Sequence, residues 1–551
     1  MPSASDPEPL DPPTGSPPVN LTGRVRDSRL GLAAVVAVGL VLHVWGIGWG
    51  LPNMPESWAP DEFSPLRIHE AIAQRFSGGW LELYPPMHVY VLALALAPIE
   101  ALSALGAVDF ASPRVYSTAF YTMRFVSVAM AAGILLLVFA IARELFDPKS
   151  AVLSAATAAL MAPLAYYAKI ANVDVPFVFW LLLSLLHLLR IIEDGRWRDY
   201  VAFATFAAFA IGTKDQAAAC YPLLPAAMWL AERARLRRAG HPRPAVAALF
   251  HPRMLGAGAI GVLVLAAIHN LPFNWTGAAE RLEAITGPMT AQMQEFPNTQ
   301  EGHLRMIALG VRHVQFSLGW PLFLVSAAGA GFALSRVRRD PRPLVLLAPI
   351  VSYWLFLIVP IMYHFDRYLL PVAVIASVFA GPVLAFLIDR RHRWAPLGIA
   401  AIIAVLGYSF AYASSVNTLI DADSRYLAED WMKRHVPADS RIMVVGYSLY
   451  LPRFDGVDAL TTTRPTIDEL DAVDPEYLVT TSLFDERRFR GDPESTEFFR
   501  RLRGGTAGYS AVFVSRRQPR WNLLGDFSRV RSNLDKINPT ITVYRRVRPP
   551  E

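Results

Sequence analysis

The chain is a succession of apolar runs, each about as long as a bilayer's hydrocarbon layer is thick. The first is Leu30 to Leu51, and others lie near 123–142, 151–167, 173–191, 199–213, 216–232, 254–271, 314–335, 343–361, 367–388 and 394–414. About 20 residues at a helical rise of about 1.5 Å cross a layer of about 30 Å. In lipid the backbone must satisfy its own polar groups, so runs of this kind become helices. Composition agrees, because only 18% of the 551 residues are charged and the mean hydropathy is +0.32. A soluble domain carries about 25% charged residues, so a purely soluble enzyme is excluded. The expected architecture is a polytopic α-helical membrane protein of about eleven spans.

Residues 1–28 are rich in Pro, Ser and Asp and lack an apolar run. They read as a disordered cytoplasmic tail, not a signal peptide. The stretch 87–105 is apolar and nearly long enough to cross, and the threading of every later span depends on it. Basic residues favour the cytoplasmic side. If 87–105 lies at the interface, the basic loops all fall on that side: Arg24/Arg26/Arg29, Arg143/Lys149, Arg196/Arg198, 232–238, Arg336/Arg338/Arg339/Arg342 and Arg390/Arg391/Arg393. The sequence therefore predicts an interfacial helix over 87–105 and a cytoplasmic N-terminus. A transmembrane domain over 29–414 carries long outer loops at 52–122 and 272–313. The remainder, 415–551, is extracytoplasmic.

That remainder has dense, balanced charge. Arg425 to His435 reads as a helix, and Arg441 to Tyr447, Tyr477 to Ser482, Ala511 to Ser515 and Thr540 to Val547 read as strands, so an α/β domain is expected. The lone Cys220 excludes an intramolecular disulfide and a thiolate cluster. The net charge of +6 reflects membrane orientation, not nucleic-acid binding. The N-x-T triplets at Asn20 and Asn274 are expected by chance.

Ionisable residues beside spans are costly and usually functional when they persist. With this threading they collect at the outer surface. Asp61 and Glu62 follow the first span. Lys169 and Asp174 lie in the tight connection between the third and fourth spans, and Lys214 and Asp215 between the fifth and sixth. His269 ends the seventh, while His364, Asp366 and Arg367 join the ninth and tenth. A single such residue is as readily a solvated loop charge. Acids and bases at four tight connections point instead to a site for an anionic ligand held in the lipid.

At these residues the sequence resembles the polytopic GT-C glycosyltransferases. It is most similar to protein O-mannosyltransferases and lipid A aminoarabinose transferases (glycosyltransferase family 39 and its relatives). The resemblance rests on Asp61-Glu62, YPPMHVY at 84–90 with Tyr84 and His88, Arg124, and YYAKIANVD at 166–174 with Tyr167. GTKD at 212–215, RYLLP at 367–371 with Tyr368, and DSRYLAEDWMKRHVP at 423–437 continue it. Lys169 departs from the Arg that members often carry, which loses a bidentate grip on phosphate.

The resemblance implies a hexosyl or pentosyl transferase in the cell membrane. Its donor is a sugar on a polyprenyl phosphate, and its acceptor is a protein, lipid or glycan hydroxyl. It implies Asp61 and Glu62 as catalytic carboxylates, with Asp61 the base; the lesser alternative is that Asp61 caps the helix that follows. Arg367, Lys214 and Lys169 would bind the donor phosphate, although lysines at this depth can also snorkel. Supporting roles fall to Asp174, Tyr84, His88, Arg124, Tyr167, Asp215, His269, His364, Asp366 and Tyr368. One displacement without a covalent intermediate implies inversion. Asp61, Glu62, Asp174 and His364 could ligate a divalent metal, and the sequence leaves metal dependence open. The alternatives are a transporter or flippase of lipid-linked sugars, which would place its binding groups at mid-membrane, or a non-catalytic scaffold.

Overall fold

The computed structural model describes residues 21–51, 56–74, 84–286, 294–389, 393–454, 459–485, 488–489, 491–525 and 530–547. Most of the tail 1–28, with Asn20, and the basic residues Arg390 and Arg391 lie outside the described residues. Helix α1 (Leu21–Val44) begins inside that tail, so its last residues are helical rather than disordered. Then come α2 (Pro65–Ala73), α3 (Met87–Ala104), α4 (Pro113–Leu145), α5 (Pro148–Ala159), α6 (Ala162–Tyr167), α7 (Asp174–Glu193) and α8 (Trp197–Thr213). They are followed by α9 (Leu224–Arg238), α10 (Pro252–Ile268), α11 (Gln300–Ser335), α12 (Leu344–Tyr353), α13 (Leu370–Leu387), α14 (Ala395–Asp421) and α15 (Ser424–His435).

Eight helices among the described residues are long and apolar enough to cross a membrane. They account for seven of the eleven apolar runs, together with α3. The other four runs form shorter helices: the apolar part of α1, α5 with α6, α8, and α9. Helix α11 begins at Gln300 and another helix spans Trp275–Thr286, so the predicted outer loop 272–313 contains two helical stretches. Helix α11 kinks at Gly319, whose φ of +68° is open to glycine, two residues before Pro321.

Local sequence explains these elements. Helix α4 starts with Pro113 in its first turn and buries Met123, Ser127, Ala131, Leu135 and Val138, a spacing of three or four residues that makes one inward face. Asp147 caps α5 by accepting from the Lys149 and Ser150 amides. Helices α5 and α13 meet closely because Gly381 has no side chain; a Cβ there would lie 2.0 Å from the Ser150 carbonyl.

The polar connections separate to the two ends of the bundle. At one end Arg253 donates to the Gly195 carbonyl (2.8 Å), Arg190 pairs with Glu144 (3.3 Å) and Arg342 donates to the Glu144 carbonyl (3.2 Å). At the other end the segments around 61, 171, 214 and 367 meet. Helix α3 makes polar contacts near both of its ends. Tyr90 donates to the Ile268 carbonyl (2.8 Å), and Glu100 pairs with His69 of α2 (2.8 Å). Between them Leu92, Ala93 and Leu96 pack on Tyr116, Ala119 and Phe120, the turns of α4 before Arg124.

After α14 the chain builds a five-stranded sheet of order β2-β1-β3-β5-β4. Strands β1 (Ile442–Val445), β2 (Ala459–Thr462) and β3 (Tyr477–Thr481) are parallel, while β5 (Ile541–Arg546) is antiparallel to both β3 and β4 (Tyr509–Ser515). Strands β1 and β3 are buried along their whole length. Met443, Val445 and Leu478 pack on Phe484, Phe498 and Phe499, and Ile442, Val444 and Val479 pack on α15 through Ala428 and Met432. This two-sided burial explains their apolar sequence. Strand β2 has no comparable apolar run, which is why the sequence reading lacks it.

Between β4 and β5 the chain returns to the bundle. Leu524, Val530, Leu534 and Ile537 join the bundle's own hydrophobic core. The Trp521 carbonyl accepts from Thr418 (2.6 Å) and the Leu523 amide donates to Ser415 (3.0 Å).

Candidate active site

Asp61 and Glu62 are adjacent but face different surroundings. Asp61 has φ +62°, a left-handed conformation that Asp adopts more readily than bulkier residues. Its carboxylate is a third exposed and lies 2.5 Å from the Arg367 guanidinium. The Asn533 side-chain amide is 3.5 Å from the same oxygen.

Glu62 is buried. Arg124 grips it with Nε and Nη2 (2.8 and 2.7 Å), the Ala171 amide donates to it (2.7 Å), and Ser57 donates a fourth bond. Arg124 also donates to the carbonyls of Ile47 (2.5 Å) and Trp49 (2.9 Å). Glu62 therefore clamps the loop after α1 to α4 and to the α6–α7 connection. Both its oxygens are thus occupied by protein donors.

Lys169 is likewise held by protein partners. Its ammonium donates to the carbonyls of Leu42 (3.0 Å) and Trp45 (2.8 Å) and to Asn417. Three donors meet three acceptors, so the side chain ties the end of α1 to α14 and has none left for a phosphate.

Lys214 and Asp174, both buried, form an ion pair at 2.6 Å. Asn172 donates to the other Asp174 oxygen (2.9 Å), and the Lys214 ammonium lies 5.1 Å from the Tyr368 ring centre. Burial lowers the Lys214 pKa, with Asp174 opposing the shift. Arg367 lies within electrostatic reach of Asp61, Asp174, Tyr84 and Tyr167. Tyr84 packs on Phe63, and burial pushes its hydroxyl pKa up. One half-buried cluster thus gathers Asp61, Tyr84, Asp174, Lys214, Arg367 and Tyr368 from four connections.

Asp366 stands behind it. It accepts from Ser532 (2.6 Å), Tyr167 (3.2 Å) and the Arg367 amide (2.6 Å), while its own amide donates to the Arg531 carbonyl (2.9 Å). Arg531, Ser532 and Asn533 come from the segment between β4 and β5. The sequence reading did not find them, because no apolar period or charge pattern marks them.

Four supporting residues lie apart from the cluster. Asp215 pairs with Arg281 of the helix Trp275–Thr286. His269 Nδ1 donates to the Leu265 carbonyl (3.0 Å) at the end of α10. His88 is buried against Phe63, and His364 is held by His313 (3.0 Å) and the Met306 carbonyl (3.1 Å). Among the described residues no three of His, Cys, Asp and Glu form a metal-binding group. Glu62 and His364, two of the four suggested ligands, are held by protein partners, so those four do not fit a metal site.

Fold and site define a polytopic helical membrane protein with a charged cluster at one end of its bundle and a sheet domain reaching into that cluster. The model of the family described as dolichyl-phosphate-mannose-protein mannosyltransferase matches residues 114–251. The matched stretch contains Arg124, Tyr167, Lys169, Asp174 and Lys214, and it agrees with the resemblance to GT-C glycosyltransferases carried by the motifs. Among solved structures, the chain is similar to ArnT from Cupriavidus metallidurans bound to undecaprenyl phosphate. That match has 14% identity and a TM-score of 0.47, over 95% of this chain and 98% of that one. It is also similar to the oligosaccharyltransferase AglB from Archaeoglobus fulgidus in complex with an inhibitory peptide and a dolichol-phosphate. There the identity is 12% and the TM-score 0.47, over 82% of this chain and 69% of that one. No curated protein matches the chain.

Proposed function

We propose that this protein is a membrane glycosyltransferase that moves a sugar from a polyprenyl-phosphate donor to an acceptor hydroxyl. The reaction takes place at the extracytoplasmic face. The observation that carries this reading is the 2.5 Å approach of Asp61 to Arg367, beside the Lys214–Asp174 pair, at one end of an apolar bundle. A carboxylate beside cations at that depth suits a hydroxyl acceptor arriving from water and a phosphate anchored in lipid. The family match over 114–251 supports the same class.

Asp61 takes the acceptor's proton as the acceptor oxygen attacks the anomeric carbon. The bond from that carbon to the phosphate oxygen breaks, and its electron pair stays on the lipid phosphate. Arg367 and Lys214 stabilise the charge that develops there. A single displacement inverts the anomeric centre. Tyr84 and Tyr368 line the same cluster, and Asp174 keeps Lys214 in place. The sheet domain, residues 415–551, faces the aqueous side, as the basic connections at the opposite end suggest.

The test incubates the purified full chain with polyprenyl-phosphate sugars and a panel of peptide, lipid and glycan hydroxyl acceptors, and follows release of lipid phosphate. Release by the wild type, lost in Asp61→Asn and Arg367→Ala, is expected. Absence of release across a panel of hexosyl and pentosyl donors, in protein that is folded, contradicts the reading.

A further inference from the structure

The proposed base and the proposed phosphate ligand are bonded to each other. Arg367 Nη1 holds Asp61 Oδ2 at 2.5 Å, with the arginine side chain 14% exposed and the carboxylate 33% exposed. A lipid phosphate that draws on the planar guanidinium fork must therefore meet a guanidinium already engaged by a carboxylate. Asp61 has a second, neutral partner on the same oxygen, Asn533 Nδ2 at 3.5 Å. Asn533 opens a short helical turn, Asn533–Lys536, directly after Ser532, whose hydroxyl is fixed on Asp366.

We infer that Asp61 and the donor's phosphate compete for Arg367, so that donor binding is what frees the base, and that Asn533 is the positioning residue that retains Asp61 after Arg367 turns away. This rests on the proposed function and orders its steps. Before the donor arrives, the proton-accepting carboxylate is neutralised by an arginine. Once the phosphate takes the arginine, Asp61 keeps a neutral hydrogen bond and its carboxylate is free to meet the acceptor hydroxyl. The energy of the Asp61–Arg367 pair is then a tax on donor affinity, because only the open fraction of the protein binds.

The experiment measures binding of undecaprenyl phosphate to the purified full chain in nanodiscs. Asp61→Asn keeps the shape of the side chain and removes the competitor. Its affinity is expected to rise about fivefold, the size of a partly exposed ion pair. Removing any nearby negative charge would also help an anion, so the same change is made in Arg367→Ala. There the competition is already absent, and Asp61→Asn is expected to change affinity by less than about twofold.

Asn533→Ala is expected to leave lipid-phosphate affinity unchanged and to lower kcat with little change in donor KM, with Asn533→Gln restoring part of it. Thermal stability of each variant keeps misfolding out of the comparison. An affinity that stays level or falls in Asp61→Asn overturns the competition, as does an equal gain in both backgrounds. An unchanged kcat in Asn533→Ala overturns its positioning role. A wild type that binds no undecaprenyl phosphate overturns the proposed function itself.

Discussion

Glu62 and Arg124 meet through two parallel bonds of 2.8 and 2.7 Å in the interior, one residue away from the half-exposed Asp61. Removing one partner of a buried pair costs about 3–5 kcal/mol, since the other charge stays buried. Glu62→Gln and Arg124→Ala are therefore predicted to lower the unfolding temperature in detergent sharply and to reduce the yield of folded protein. Asp61→Asn is predicted to leave unfolding nearly unchanged and to cut transfer by about 10²–10⁴. Thermal unfolding beside a transfer assay checks both. Equal destabilisation by Glu62→Gln and Asp61→Asn would count against the division.

A second contrast separates the two lysines. Lys169→Met leaves the carbonyls of Leu42 and Trp45 and the Asn417 side chain without their donor. Each stranded buried group costs about 1–3 kcal/mol, so this variant is expected to lose stability. Lys214→Met also strands the buried Asp174 carboxylate and loses stability, but because it removes a cation at the proposed phosphate position it is expected, in protein that remains folded, to lower kcat by about 10²–10³. Intact wild-type activity in folded Lys214→Met would remove Lys214 from the proposed machinery.

Lys214 also sets an expectation for pH. Burial lowers its pKa, and Asp174 resists that shift. The charged form is the useful one, so the cation is lost on the alkaline side earlier than for a free lysine. Transfer is predicted to decline on that side, and Lys214→Arg is predicted to move the decline to higher pH, because a guanidinium stays charged. Rate against pH for the two proteins makes the test, and coincident alkaline limbs would assign the decline to another group.

Asp366 joins the sheet domain to the cluster through Ser532 and Tyr167. Asp366→Ala is predicted to loosen the segment 530–537, seen as faster hydrogen exchange there, and to lower activity through Arg367. Exchange unchanged in that segment would mean that the apolar contacts of Leu534 and Ile537 hold it alone.

Much of the fold is legible in the sequence because its physics is local. Apolar runs of membrane length and the short apolar strands β1 and β3 each announce themselves within about twenty residues. The candidate site is legible only in part. Asp61, Asp174, Lys214 and Arg367 stand out as charges beside spans. Which charges are internal clamps is a matter of partners remote in the chain: Ala171 for Glu62, and Leu42 and Asn417 for Lys169. Asp61 and Glu62 read alike as a pair, and only the left-handed turn at Asp61 separates them. Ser532 and Asn533 sit in a segment without periodicity, and they reach the cluster because Leu534 and Ile537 anchor it in the bundle's core.

The most direct measurement is release of polyprenyl phosphate from a polyprenyl-phosphate sugar by the purified chain in the presence of hydroxyl acceptors, comparing wild type with Asp61→Asn. The account predicts steady release by wild type and a loss of about 10²–10⁴ in the variant, with folding and lipid-phosphate binding retained. Equal rates in the two proteins would contradict it.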